Sequence, residues 1–308
     1  MTGSILVLGA GGFIGQQLVR SLVHHGEQVT AASRRHVEFD AANVETLVGA
    51  LCEPEDFAPL VARARAVVYL ASTSTPGSSV ARPMEDVIGN LLPLTAMLQA
   101  LQDRADVDLL YLSSGGTLYA SAGEGMSSEA MHVRPLSYHG AGKIAAEYFI
   151  SAWCSQYSRK ATIVRPSNVY GPGQSERVGF GIVPTALGKI QRNETLHVWG
   201  DGSAVRDYLY IDDLVRLITA ILAKPMPKGA RVINACSGKG TSLNELFAVL
   251  EAVTGTALLC SYETSRSVDV SRVVMDPTLA KQEYDFSAAT PLHEGLRRTW
   301  VWWNSTTR

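Results

Sequence analysis

Residues 4–25 read SILVLGAGGFIGQQLVRSLVHH, and this stretch decides the fold. Ser4–Leu8 is a short apolar run of the kind that forms a buried strand. Glycines follow at 9, 12 and 15, and from Phe13 to His25 apolar residues recur at helical spacing. A strand, a G-x-x-G-x-x-G turn and a helix in direct succession let the backbone turn tightly and approach a pyrophosphate, whose charge sits on the helix N-terminus. Glycine-rich turns that bind nothing share this spacing, so the reading rests on the pattern that follows.

Working outward, Gln28–Ala32, Ala66–Leu70, Asp108–Ser113 and Ala161–Pro166 read as further strands. Pro54–Ala62 reads as a short helix, and Met84–Gln102 and Ser137–Tyr157 as long ones. This alternation predicts parallel βαβ units, and near-continuous apolar strands predict a sheet covered on both faces. The fold class is α/β, a Rossmann-type doubly wound parallel sheet. After Pro166 the alternation is lost, and Pro and Gly cluster in NVYGPGQ (168–174). Ser242 and Glu245 form a capping box opening a helix that stops near Gly255, and 292–303 reads as an amphipathic final helix. We expect a dinucleotide-binding domain of 1–166 plus about 205–235, with Tyr208–Ala235 returning to the first sheet. The smaller substrate lobe is expected to comprise 167–204 and 236–308.

Composition narrows the partners. Lys and Arg number 27 against 29 Asp and Glu, and the net charge of −2 removes the electrostatic case for bulk nucleic-acid or anionic-membrane binding. No apolar stretch approaches the ~20 residues of a membrane helix. The start, MTGSILVLGAGG, lacks a basic leader, and a cytoplasmic protein is expected. Cysteines at 52, 154, 236 and 260 form no metal-spaced pair, fit free thiols, and predict no metal site.

An acidic residue after the second strand would accept from a ribose 2′-hydroxyl and favour NAD. This chain has Ser33-Arg34-Arg35 there. No carboxylate repels a 2′-phosphate, and two guanidiniums are placed to pair with one. NADP is therefore weakly favoured over NAD, although solvated loop arginines would read the same way.

GAGGFIG (9–15), YLSSGGTLY (111–119), GKIAAE (142–147), RPSNVYGPG (165–173) and VRDYLYIDD (205–213) occur in this order. From residue 4 to about 300 the chain resembles the extended short-chain dehydrogenases/reductases, especially the nucleotide-sugar epimerases and dehydratases. The resemblance implies a Rossmann domain holding NAD(P), a C-terminal lobe holding a nucleotide-diphosphate sugar, and a homodimer through Met84–Gln102 and Ser137–Tyr157. It implies hydride transfer at a sugar carbon, usually C4. It also places Gly9, Gly12, Phe13, Ile14, Gly15, Ser33, Arg34, Arg35, Leu51, Leu70, Ala71, Ser72, Lys143 and Pro166 beside the dinucleotide.

The family carries a Tyr and a Lys four apart on one helix. Four residues turn about 400°, so both side chains share a face. Lys143 fits, but the residue four before it is His139, and Tyr138 lies five before it. Three readings stand. His139, with an ordinary pKa near 6.5, takes the tyrosine's place; an irregular helix start lets Tyr138 swing in; or the function is absent. The family's Ser/Thr that holds the sugar hydroxyl aligns with Gly115, leaving Thr117, then Ser114, as candidates, unless both only bond local backbone.

The resemblance assigns Asn168, Arg206 and Arg266 to the substrate's phosphates, and two guanidiniums suit a pyrophosphate. The leading expectation is a C4 nucleotide-sugar epimerase working through a transient 4-keto sugar. An NADPH-dependent 4-keto-deoxysugar reductase is the alternative, favoured by Ser33-Arg34-Arg35. A catalytically inactive dinucleotide-binding relative gains weight from His139 and Gly115.

Overall fold

The computed structural model describes residues 3–75, 77, 78, 80, 82–119, 125–177, 179–265 and 270–306. The chain divides into two compact units. The first comprises 1–114, 137–165 and 215–233; the second comprises 115–136, 166–214 and 234–308.

The first unit is built on a seven-stranded sheet. Its labelled strands are β1 (Ser4–Leu8), β2 (Val29–Ser33), β3 (Val44–Val48), β4 (Ala64–Tyr69), β5 (Asp108–Leu112) and β6 (Lys160–Pro166). Their order is Gly229–Ala235, β6, β5, β4, β1, β2, β3, with parallel pairing from β6 through to β3. β1 lies between β2 and β4, so the chain winds outward in both directions from it. In open α/β sheets the ligand crevice lies beyond the strand C-termini at such a switch point. Ile5, Leu6, Val7, Val67 and Val68 are fully buried, which explains the apolar runs. β3 escaped the sequence reading because it is an edge strand with half-buried or exposed residues throughout.

Helix α1 (Phe13–His24) follows the glycine loop, and α2 (Pro54–Val61) precedes β4. The expected Met84–Gln102 helix is α3 (Pro83–Asp86), a π turn over Val87–Leu91, and α4 (Leu92–Ala100). Pro93 explains the interruption: it lacks the N–H that an α-helix would bond to Gly89, and the Leu92 N–H reaches back five residues to Val87 O. The long helix Tyr138–Tyr157 is capped by Ser137, whose Oγ accepts the Gly140 N–H at 3.1 Å.

In the second unit, Val205–Tyr210 pairs with Gly240–Ser242, Arg272–Val273 and Asn168–Tyr170. This corrects one part of the expectation that Tyr208–Ala235 returns to the first sheet, for residues 215–233 do belong to the first unit. Gly229–Ala235 supplies the returning strand; Tyr208, Leu209 and Tyr210 belong to the smaller sheet, where Tyr170 stacks edge-on against Tyr208 and Tyr210. The Ser242–Glu245 capping box and a left-handed Gly255 bound the helix Leu243–Thr254, and Leu292–Thr306 is helical. Among the described residues no helix is long and apolar enough to cross a membrane.

Candidate active site

The glycine loop is a cradle that side chains would fill. Gly9 has φ +90°, and a Cβ there would meet the Ala71 backbone at 2.8 Å. A Cβ on Gly15 would overlap Gly9 O. Leu70 and Ala71 are thus brought against the loop. The α1 N-cap, Gly12, makes no side-chain cap and the first turn holds no acid, whereas α2 and Leu243–Thr254 each begin with a capping box that includes a carboxylate. Uncapped amides at the end of β1 suit a pyrophosphate, so these residues fit a dinucleotide. Phe13, Ile14 and Leu51 are half-buried, Ser72 is exposed, and Pro166 is buried at the end of β6. Ser33 Oγ donates to Arg35 O at 2.5 Å. Arg34 and Arg35 are exposed and pair with no described carboxylate.

The long helix presents a polar buried stripe of His139, Lys143 and Glu147, one per turn. The capped, regular start leaves Tyr138 48% exposed and off this face, so the structure does not bring it in. Arg165 of β6 grips Glu147 with Nε at 3.0 Å and an Nη at 2.6 Å, while Ser113 donates to the same carboxylate at 2.5 Å. Lys143 Nζ donates to Leu112 O at 2.9 Å and lies 4.9 Å from the Tyr111 ring centre. Burial lowers the Lys143 pKa to about 8, opposed by Glu147 and Asp86. Burial, then the Lys143 charge, lowers that of His139 to about 4, with Asp86 opposing. At neutral pH the pair is an ammonium beside a neutral imidazole. His139, Lys143 and Tyr111 line a small cavity with Asp86, Asn90, Gly142 and Ala146.

Sequence reasoning missed Ser74, Asp86 and Asn90. Ser74 Oγ donates to Asp86 Oδ1, lies 2.9 Å from His139 Nδ1, and accepts from Asn90 Nδ2 at 2.9 Å. No motif spacing signals them, because a loop after β4 and the helix after Pro83 meet only in the folded unit.

In the second unit, Gly115 begins the short helix Gly115–Leu118. A Cβ there would overlap Met275 Sδ and Cε, so Met275 fills the space a serine side chain would need. Thr117 Oγ1 is buried with no partner among the described residues. Ser114, which ends the first of the three segments of the first unit, is half-buried. Asn168 directs Oδ1 towards Gly116, 3.1 Å from where a Cβ would sit. Arg206 is half-buried with Nη1 on Val205 O at 2.9 Å. The adjacent Asp207 accepts from Ser167 Oγ and from both backbone and hydroxyl of Ser237, tying the loop before Asn168 to the strand of Arg206. Arg266 lies outside the described residues.

A parallel sheet wound both ways from a glycine cradle, with a buried helix-borne lysine, defines a dinucleotide-dependent enzyme of the short-chain dehydrogenase type. Residues 5–236 match the NAD dependent epimerase/dehydratase family, and the chain belongs to it. It is 28% identical to the UDP-glucose 4-epimerase of Mycolicibacterium smegmatis, over 96% of each chain. Among solved structures it matches UDP-glucose 4-epimerase from Thermotoga maritima, with UDP-glucose, at a TM-score of 0.91 and 28% identity, covering 99% of this chain and 100% of that one. MoeE5 in complex with UDP-glucuronic acid and NAD matches at 0.90 and 27%, with the same coverage. Curated relatives also include dTDP-4-dehydro-6-deoxy-D-allose reductases and a dTDP-glucose 4,6-dehydratase from Streptomyces.

Proposed function

We propose that this chain is an NAD(P)-dependent nucleotide-sugar epimerase acting at C4 through a transient 4-keto sugar, with His139 as the proton carrier. The observation that carries this reading is the buried face pairing a neutral His139 with Lys143 four residues on. The UDP-sugar 4-epimerases among its relatives support the reaction class. A bound dinucleotide would accept hydride from the sugar carbon and return it to the other face. His139 takes the proton of the C4 hydroxyl and gives it back, Lys143 holds the nicotinamide ribose, and Thr117, or Ser114 after it, shares the reacting hydroxyl. Asn168, Arg206 and Arg266 hold the diphosphate. Exposed Met84, Val87 and Ile88, with Tyr148 and Phe149 on the long helix, support a homodimer through these helices. The protein works in the cytoplasm.

A second reading, an NADPH-dependent 4-keto-deoxysugar reductase, is favoured by the exposed Arg34 and Arg35 where a carboxylate would select NAD. Met275 in the space at Gly115 favours a third, an inactive relative. Incubation with UDP-, dTDP- and GDP-sugars, following product and nicotinamide absorbance, separates them. The epimerase inverts C4 without net cofactor consumption; the reductase consumes NADPH stoichiometrically with a keto sugar; the inactive relative binds dinucleotide and turns over nothing. In parallel fluorescence titrations NADP(H) is expected to bind at least as tightly as NAD(H). A preference for NAD(H) above about tenfold, ~1.4 kcal/mol, rejects the NADP assignment.

A further inference from the structure

We propose that Asp86 and Ser74 are positioning residues, a carboxylate–hydroxyl–imidazole relay that keeps the proton of His139 on Nδ1 and its lone pair on Nε2. The inference rests on the reading of His139 as proton carrier for its purpose, but not for its geometry.

The donors and acceptors can be assigned from a group with only one possible role. The backbone N–H of Thr73 must donate, and it reaches Asn90 at 2.7 Å, so the atom facing it is the amide oxygen. Thr73 Oγ1 donates to the same oxygen at 3.1 Å. The other amide atom is therefore the nitrogen, and its two hydrogens go to Ser74 Oγ and Asp86 Oδ1, both at 2.9 Å. Ser74 has a single proton. Asp86 Oδ1 already receives from Asn90 and, as a carboxylate oxygen, only accepts, so its close contact with Ser74 Oγ requires that proton between them. Nothing remains for Ser74 to donate to His139. The 2.9 Å contact must then run from Nδ1–H to Ser74 Oγ.

The arrangement is buried: Asp86 is 3% exposed, Ser74 8% and His139 7%. The π turn over Val87–Leu91 carries Asn90, and Gly89 beside it lets the helix close on Thr73, since a Cβ there would overlap Thr73 Oγ1. When Nε2 receives a proton, the imidazolium keeps its Nδ1–H on Ser74 and the Asp86 carboxylate, 3.9 Å from Nδ1, stabilises the new positive charge. Lys143, on the same helix face, acts in the other direction, and the Tyr111 ring closes the cavity.

The test needs no substrate. Histidine-selective ¹⁵N labelling resolves the ring nitrogens at pH 7, with the His139 signals assigned by their loss in His139→Phe. The wild-type protein is expected to show the Nδ1–H form. In Ser74→Ala this form is no longer enforced and the Nε2–H form grows; Ser74→Thr restores it. In Asp86→Ala the Ser74 proton is released to Nδ1, and His139 switches to the Nε2–H form. In a turnover assay Ser74→Ala, which no longer enforces the working tautomer, lowers kcat by about tenfold or more and leaves KM unchanged. A wild-type His139 in the Nε2–H form overturns the relay without reference to any variant, and so does an Nδ1–H form that persists in Ser74→Ala. A protein that turns over no sugar yet shows the Nδ1–H form loses the epimerase reading and keeps the relay.

Discussion

His139 illustrates how a position in the fold changes the chemistry of a residue type. Its ordinary pKa near 6.5 suggests a base that titrates near neutrality, but burial and the Lys143 charge lower it to about 4. The basic, neutral form is therefore present down to about pH 4, and turnover falls only as pH drops through that value rather than through 6.5. His139→Phe is expected to cut kcat by about 10²–10⁴-fold while Tyr138→Phe keeps most activity. The reverse ranking overturns the assignment of His139. A stability effect accompanies this. The folded-state pKa lies below the unfolded one, so between pH 6.5 and about 4 the unfolded chain binds the extra proton, and stability falls as pH falls through that window. The contribution is on the order of 3 kcal/mol. Urea melts at pH 7 and 4.5 should show a smaller pH-dependent loss in His139→Phe than in the wild type.

At the scale of elements, the helix Tyr138–Tyr157 is held by Glu147, which the Arg165 guanidinium and the Ser113 hydroxyl bind from β6 and the end of β5. Removing one member leaves a charge buried without its partner. Glu147→Gln should cost roughly 3–5 kcal/mol in denaturant unfolding. It also removes the anion that raises the Lys143 pKa, so the loss of activity on discharging Lys143, centred near pH 8, should move to lower pH. An unchanged alkaline limb would mean that Glu147 is a structural clamp only. The glycine cradle shows the same dependence on close approach: Gly15 is adjacent to Gly9 O, and only hydrogen fits between them.

For the whole molecule, the two units are expected to divide the binding work. Arg206→Ala should weaken nucleotide-sugar binding by roughly 1.5–3 kcal/mol in calorimetry and leave dinucleotide affinity in the first unit unaltered. Equal sugar-nucleotide affinity refutes the clamp. Exposed Ile88 and Tyr148 carry the expectation of a homodimer. Light scattering should give twice the chain mass for the wild type and a single chain for an Ile88→Glu, Tyr148→Glu variant; a monomeric wild type rejects it.

The fold class and the cradle were legible along the chain because both are local. Buried parallel strands are continuous apolar runs, and a turn without room for Cβ atoms must be glycine. The i, i+4 relation of His139 to Lys143 is helix geometry and was equally readable, but the sequence left the helix start open, and the structure shows it regular and capped by Ser137. The tertiary structure alone decided the rest. Ser74, Asp86 and Asn90 carry no shared spacing with His139, since a loop and a helix distant in sequence meet around the imidazole of a third segment. Met275 lies 160 positions from Gly115 in the chain, yet packing puts it where a serine would stand. The assignment of Val205–Tyr210 to the smaller sheet also escaped the sequence, because an apolar strand reads alike whichever sheet pairs with it. Burial, which sets the protonation of His139 and Lys143, is a property of the assembled unit and not of any residue's neighbours in sequence.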